Sequence, residues 1–371
     1  MSALAGSFKG GAAFLLLPLS LVPLFLALPK FTSNGQAMDP ERVPLAAPSL
    51  DLSDAQLARW RPLPAFDGAI PVLAYHGING RFDHYSISRK TFAQQMEMLD
   101  RAGFETVSIA QYVRFLQGDV DGLPPRPILI TFDDGRLDSY RGADKVLADH
   151  GFRATMFVIV GRVDGTNGRD GGGFYLTWDE LRRMAGSGRW DLQEHSGVGH
   201  VNVVYNAAGD VGEAYAYRRY VKGLGLESFD DYRQRVREDI LWGKTTMEQK
   251  IPGYTPWTFA VPYGNYGQNG TNDSRIPEFL NRFLRRNFLA VFLTRPPKFT
   301  TAFTPRGKIG RYEIHTVTSA DRMYTWLRAG MPSKKSLRDA AEEQASAAIE
   351  SAQIAAGVSG AGGPQKAEGG N

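Results

Sequence analysis

The sequence predicts an α/β protein, a distorted (β/α) barrel of about seven strands, and three observations carry that prediction. Strand and helix signals alternate along the middle of the chain, the order that builds a mostly parallel sheet. The apolar run Ile128-Leu129-Ile130-Thr131-Phe132 reads as a buried strand and delivers two adjacent carboxylates, Asp133 and Asp134, to its C-terminal end. Trp190-Asp191-Leu192-Gln193-Glu194 reads as another strand, followed at once by His195-Ser196-Gly197-Val198-Gly199-His200. The C-terminal ends of strands are where α/β barrels place their chemistry.

Taken in order, Pro71 to Tyr75 is a strand, and Phe92, Met96 and Leu99 mark an amphipathic helix closing near Gly103. Ser108-Ile109-Ala110-Gln111 is a capping box that opens a second helix, and Thr177-Trp178-Asp179-Glu180 is another. Leu129 to Phe132, Ala154 to Val160 and Trp190 to Glu194 are strands. Phe229, Tyr232, Val236 and Ile240 trace one face of a long helix after Ser228. Trp257 to Val261, Leu289 to Leu293 and Glu313 to Val317 complete the strands. The Gly-rich stretch 164–173 and the segment 201–226 read as insertions at the barrel mouth.

With 371 residues and 41 glycines the chain has length for one large catalytic domain with a full core. The 43 basic and 39 acidic residues nearly balance, and no basic run is interleaved with aromatics, so nothing supports a nucleic-acid partner. The absence of cysteine excludes disulfides and thiolate metal sites, leaving oxygen and nitrogen ligands.

Residues 10–29 run uncharged between Lys9 and Lys30, and at ~20 residues such a run just spans a bilayer. Residues 1–30 are therefore expected to be a retained membrane anchor, with a cleaved signal as the alternative, placing the enzyme in the periplasm or outside the cell. Residues 31–65 read as a linker rich in Pro, Ala, Ser and Asp, residues 66–330 as the catalytic domain, and residues 331–371 as a low-complexity tail fading into disorder.

Each candidate residue has a bland reading. Asp-Asp-Gly is also an ordinary turn after a strand, and single histidines are more often surface or capping residues. Together, a carboxylate and two histidines after two strands form a facial metal site with open positions. The histidines are five apart with two glycines between them, so a loop and not a zincin-type helix face would grip the ion. Neighbours on a strand point to opposite sides, which would let one aspartate bind metal and leave the other free as a base. Val261-Pro262-Tyr263-Gly264 ends a third strand in a turn that can aim a backbone N–H at a developing oxyanion. His76 and His315 each lie at or near a strand end.

These residues together resemble the polysaccharide deacetylases of the NodB-homology group, carbohydrate esterase family 4, over roughly residues 68 to 320. Thr131-Phe132-Asp133-Asp134-Gly135, His195 through His200, and Val261-Pro262-Tyr263-Gly264 look like that family's three motifs. Leu73-Ala74-Tyr75-His76, the long histidine spacing and the Phe229 to Met247 helix are most similar to the branch acting on poly-β-1,6-N-acetylglucosamine of biofilms. The resemblance implies that Asp134, His195 and His200 hold a divalent ion, zinc with Co²⁺, Ni²⁺ or Fe²⁺ as alternatives, and that Asp133 is the base. It implies His76 as the acid, with His315 as the alternative, and Pro262 and Tyr263 at the substrate. The family's third motif often carries an Arg two residues before its Pro, pairing with the base; this chain has Ala260 there.

The implied reaction is metal-dependent hydrolysis of the acetamide of an N-acetylated polysaccharide, releasing acetate. A peptidoglycan deacetylase and an inactive metal-holding carbohydrate-binding module are the alternatives. A two-carboxylate glycoside hydrolase would leave both histidines unexplained.

Overall fold

The computed structural model of the chain describes residues 41–65, 68–80, 83–165, 173–294, 299–302 and 304–330. The expected membrane segment, residues 31–40 and the C-terminal tail lie outside the described residues. Seven parallel pairings make a nearly closed barrel from β1 (Val72–Tyr75), β2 (Pro127–Phe132), β3 (Ala154–Ile159), β4 (Trp190–Ser196), β5 (Thr258–Ala260), β6 (Ala290–Leu293), β7 (Ile309–Gly310) and β8 (Tyr312–Glu313). The two outermost strands are consecutive: β7 pairs with β6, β8 pairs with β1, and Arg311 alone separates them. One pass of the chain thus supplies both edges of the sheet, so the eight hydrogen-bonded strands correspond to about seven passes.

Every residue of β2 and β3 is buried, as expected for parallel strands covered on both faces, and the apolar runs in the sequence reflect that. The covering helices are α1 (Arg89–Arg101), α2 (Ile109–Phe115), α3 (Leu137–Asp149), α4 (Trp178–Gly186), α5 (Phe229–Lys250), α6 (Ile276–Asn287) and α7 (Ala320–Ala329). The capping boxes at Ser108 and Thr177 form as the sequence predicts, each side chain accepting from the third backbone N–H while Gln111 or Glu180 reaches back. Ser228 caps α5 by accepting from the Asp231 N–H.

The buried apolar residues fall into three groups. One fills the barrel, including Val72, Leu129, Phe157, Ala260, Phe292 and Ile309. A second lies under α1, α3 and α4, and a third under α5 and α6. Strand alternation divides them: Leu129, Thr131 and Asp133 share the inner face of β2 and its extension.

Two local readings change. Residues 41–63, read from composition as linker, are laid along the barrel: Arg42 pairs with Glu180, the Leu45 N–H donates to the Arg141 carbonyl, and Trp60 and Leu63 are buried. Composition missed this because the contacts are with residues far away in sequence. The expected strand Glu313 to Val317 stops at Glu313. After the Ile314 N–H donates to the Ala74 carbonyl, the Thr316 N–H turns to the His84 carbonyl, so His315 lies beyond the strand.

The insertion 201–226 forms two small hairpins, Asn202–Val204 with Val211–Glu213 and Tyr220–Val221 with Gly225–Leu226. No helix among the described residues is long and apolar enough to cross a membrane.

Candidate metal centre and active site

A cavity of about 470 Å³ opens at the C-terminal ends of the strands, and its wall includes His76, Asp133, Asp134, His195, His200 and Tyr263. Asp133 follows β2, its N–H bonded to the Tyr75 carbonyl, and its side chain points into the barrel. Asp134 sits beyond the strand in the left-handed region (φ 76°), as does Gly135 (φ 72°). That turn corrects the expectation of opposed neighbours: both carboxylates face the one cavity, and His195 Nε2 lies 3.8 Å from Asp133 and 3.7 Å from Asp134. A left-handed non-glycine residue is a strained arrangement that functional sites tolerate.

Asp134, His195 and His200 each offer a ligand atom, all within 4.8 Å of one another. Asp134 Oδ1 is 3.7 Å from His200 Nε2, and it is buried without a hydrogen-bond partner. A buried carboxylate oxygen with nothing to accept from is costly unless a cation sits against it, so the residues fit a divalent ion. His195 Nδ1 lies 2.8 Å from the Ala260 carbonyl; a proton donated there leaves Nε2 free as a ligand. Burial lowers the His200 pKa to about 4, only partly offset by Asp134, keeping its imidazole neutral as a ligand must be.

The histidine loop is held from outside the barrel. Asp239 on α5 accepts the Val198 N–H at 2.6 Å, the Gly199 N–H at 3.1 Å and the Tyr215 hydroxyl. A Cβ at Gly197 or Gly199 would lie 2.7 Å from an Asp239 carboxylate oxygen, so the glycines allow the helix its close approach. Asp239 carries no signature in the sequence beyond its place on an amphipathic helix.

Ala260 leaves the base without an arginine from its own motif, and the structure supplies one from the closing pass. Arg311 is fully buried and meets Asp133 through two bonds of 2.7 Å, while its Nη1 also reaches Thr131 Oγ1 at 3.2 Å. Its guanidinium carbon lies 5.4 Å from the centre of the Phe157 ring. Burial alone would raise the Asp133 pKa; Arg311 first, then His195, outweigh it and hold the carboxyl well below the usual carboxylate range. The one trace of this in sequence is a charged residue amid Ile309-Gly310-Arg311-Tyr312, a strand-like stretch.

His76 Nε2 is 4.0 Å from Asp133 Oδ2 and its Nδ1 is buried without a partner. His315 instead lines a neighbouring cavity, 3.5 Å from Glu313 and stacked on His84 at 4.3 Å. Tyr263 is 43 % exposed, its ring 4.2 Å from that of His200, and its backbone is left-handed (φ 57°). Pro262 is buried behind it and forms no part of the cavity wall, so its part is to fix the turn. Tyr85, Glu213 and Tyr217 also line the cavity and were not singled out from sequence.

A parallel barrel with an Asp-His-His cluster and a separate ionised aspartate at its mouth is an arrangement suited to metal-assisted hydrolysis. Residues 121–275 match the polysaccharide deacetylase family, and the chain carries a polysaccharide deacetylase domain of the NodB type. It is 26 % identical over 188 residues to the poly-β-1,6-N-acetyl-D-glucosamine N-deacetylase of Escherichia coli K12, an alignment covering 48 % of this chain and 28 % of that protein. The chain thus spans little more than a quarter of that relative's length. The solved structure of IcaB from Ammonifex degensii matches at TM-score 0.54 and 26 % identity, over 71 % of this chain and 98 % of that one. A de-N-acetylase of Aggregatibacter actinomycetemcomitans shares the fold at TM-score 0.60 and 21 % identity, over 70 % of this chain and 99 % of that one.

Proposed function

We propose that this chain is a metal-dependent N-deacetylase acting on a β-1,6-linked N-acetylglucosamine polysaccharide of the biofilm type, held at a membrane by residues 10–29 with residues 66–330 outside the cytoplasm. One observation carries the catalytic part: an orphaned Asp134 oxygen facing two histidines, beside an aspartate kept ionised by a buried arginine. A divalent ion held by Asp134, His195 and His200, zinc being the ion proposed, would polarise the acetamide carbonyl and acidify water.

The chain's own groups do the rest. Asp133, already a carboxylate, accepts the proton of the attacking water; Arg311 keeps it charged and fixed in orientation. The Tyr263 N–H, aimed by the left-handed turn, donates to the carbonyl oxygen as negative charge gathers on it. His76, close to Asp133, delivers a proton to the departing amine, without which the amine is a poor leaving group. Acetate leaves and a glucosamine remains.

The likeness to the E. coli enzyme supports the β-1,6 substrate over peptidoglycan. Acetate release from β-1,6 and β-1,4 N-acetylglucosamine oligomers and from peptidoglycan, with and without chelator, tests the whole reading. Release from β-1,6 oligomers, abolished by chelation and restored by zinc, is expected; release from peptidoglycan alone would overturn the substrate, and chelator-resistant release the metal.

A further inference from the structure

Two grooves on the flank of the barrel have no part in this chemistry. One, of about 940 Å³, runs between α6 and residues 305–308; the other, of about 730 Å³, runs between α5 and α6. Their walls hold eight Arg and Lys side chains against a single carboxylate, Glu278, whereas the whole chain is nearly balanced at 43 against 39. Arg233, Arg275 and Arg282 are paired with Asp230, Asp273 and Glu278. Arg237, Arg285, Arg286, Arg306 and Lys308 are exposed and have no carboxylate partner among the described residues.

The cations stand on an aromatic floor. Arg275 lies 4.1 Å from the Phe229 ring centre, Arg237 5.5 Å from Phe283, and Arg233 5.9 Å from Phe279. Such contacts order the guanidiniums, lowering the entropy lost when they engage a ligand. Leu241 and Leu289, 41 % and 38 % exposed, sit among them.

We propose that this α5–α6 face docks on an anionic phospholipid bilayer. Guanidinium forks match phosphate oxygens, and clustered Arg and Lys are drawn to anionic headgroups. Leu241 and Leu289 gain nothing against a hydrated polyanion but bury apolar area at the boundary between headgroup and acyl chain, which favours lipid over a soluble polymer. The uncharged run 10–29 of the same chain is long enough to reach into a bilayer, and a tether raises the effective concentration at which a weak face must work. The helices flank the strands, so docking through them leaves the mouth open sideways to a polymer.

The lack of cysteine allows one labelled thiol to be placed at will. Full-length Leu289→Cys, on the face, and Asp149→Cys, on α3 across the barrel, would carry an environment-sensitive fluorophore. Each is reconstituted in phosphatidylcholine vesicles with or without phosphatidylglycerol, both containing nitroxide-labelled lipid. Quenching of the Leu289→Cys label in phosphatidylglycerol vesicles alone is expected, falling to the Asp149→Cys level in high salt and when Arg285→Gln, Arg286→Gln and Arg306→Gln are added. These three side chains are exposed and unpaired, so the fold should survive; an unchanged thermal melt checks it. Equal quenching of the two labels, or quenching that persists in the triple variant, would overturn the proposal. So would binding of soluble polyphosphate without quenching by vesicles.

Discussion

Two clusters among the described residues have the residue types and spacing of a metal site, and they differ in how far their own partners satisfy them. Asp134, His195 and His200 converge on an orphaned oxygen at the barrel mouth, on a loop pinned by Asp239. Glu97, Asp100 and His150 also come within 4.8 Å, but on the outside of α1 and at the end of α3. There Glu97 is already satisfied by Arg101 at 2.6 Å, and Asp100 is exposed and lies 3.3 Å from His150. The difference teaches that an unmet need, a buried oxygen with no donor, distinguishes a candidate metal site from acids that already have partners.

The sharpest way to break the comparison is to remove ligands on each side. Asp134→Ala, His195→Ala or His200→Ala should reduce bound metal, read by elemental analysis, and acetate release to background together. His150→Ala should change neither. Metal retained by His195→Ala but lost by His150→Ala would reverse the assignment.

Next in size are the proton-transfer groups. Asp133→Asn should keep metal and lose roughly 10²- to 10⁴-fold in kcat. His76→Ala should likewise keep metal and substrate affinity while depressing kcat; if His315→Ala does so and His76→Ala does not, the two histidines exchange roles.

Arg311→Met sharpens the account of Asp133. The folded pKa of Asp133 lies below the unfolded value of about 3.9, so the pair's stabilisation is present above that pH and fades as pH falls through the folded value. Leaving the carboxylate buried and unpaired should cost roughly 3–5 kcal/mol at neutral pH in denaturant titration. The acid limb of kcat/KM should move to higher pH, because nothing then offsets burial as strongly. An unmoved limb would mean that Asp133 is not the group that sets it.

The smallest effect at the mouth should come from the loop's support. Asp239→Asn should weaken metal affinity roughly 10- to 100-fold, the scale of outer groups that orient ligands, with kcat restored at saturating zinc. Activity that stays low at saturating zinc would place Asp239 closer to the chemistry.

Much of this was legible in sequence. Parallel strands buried on both faces leave continuous apolar runs, caps leave Ser or Thr three residues before Gln or Glu, and both candidate motifs are local, so Asp133, Asp134, His195 and His200 could be named as candidates directly. His76 ranked ahead of His315 because it ends a strand, whereas the side His315 takes depended on where β8 leaves β1.

What only the tertiary structure decided is what joins distant segments. Arg311 meets Asp133 because the last pass closes the barrel against β1, and no local pattern in Ile309 to Tyr312 encodes that contact. Asp239 reaches the histidine loop because two glycines let α5 press against it, and residues 41–63 lie on the domain through partners distant in the chain, as with Arg42 and Glu180, 138 positions apart. The sequence by itself determined which candidate residues stand at the strand ends, since strand ends and short motifs are set by neighbours in the chain. Their charge states and rigidity came from packing, because burial and ion pairing depend on which surfaces the closed barrel brings together.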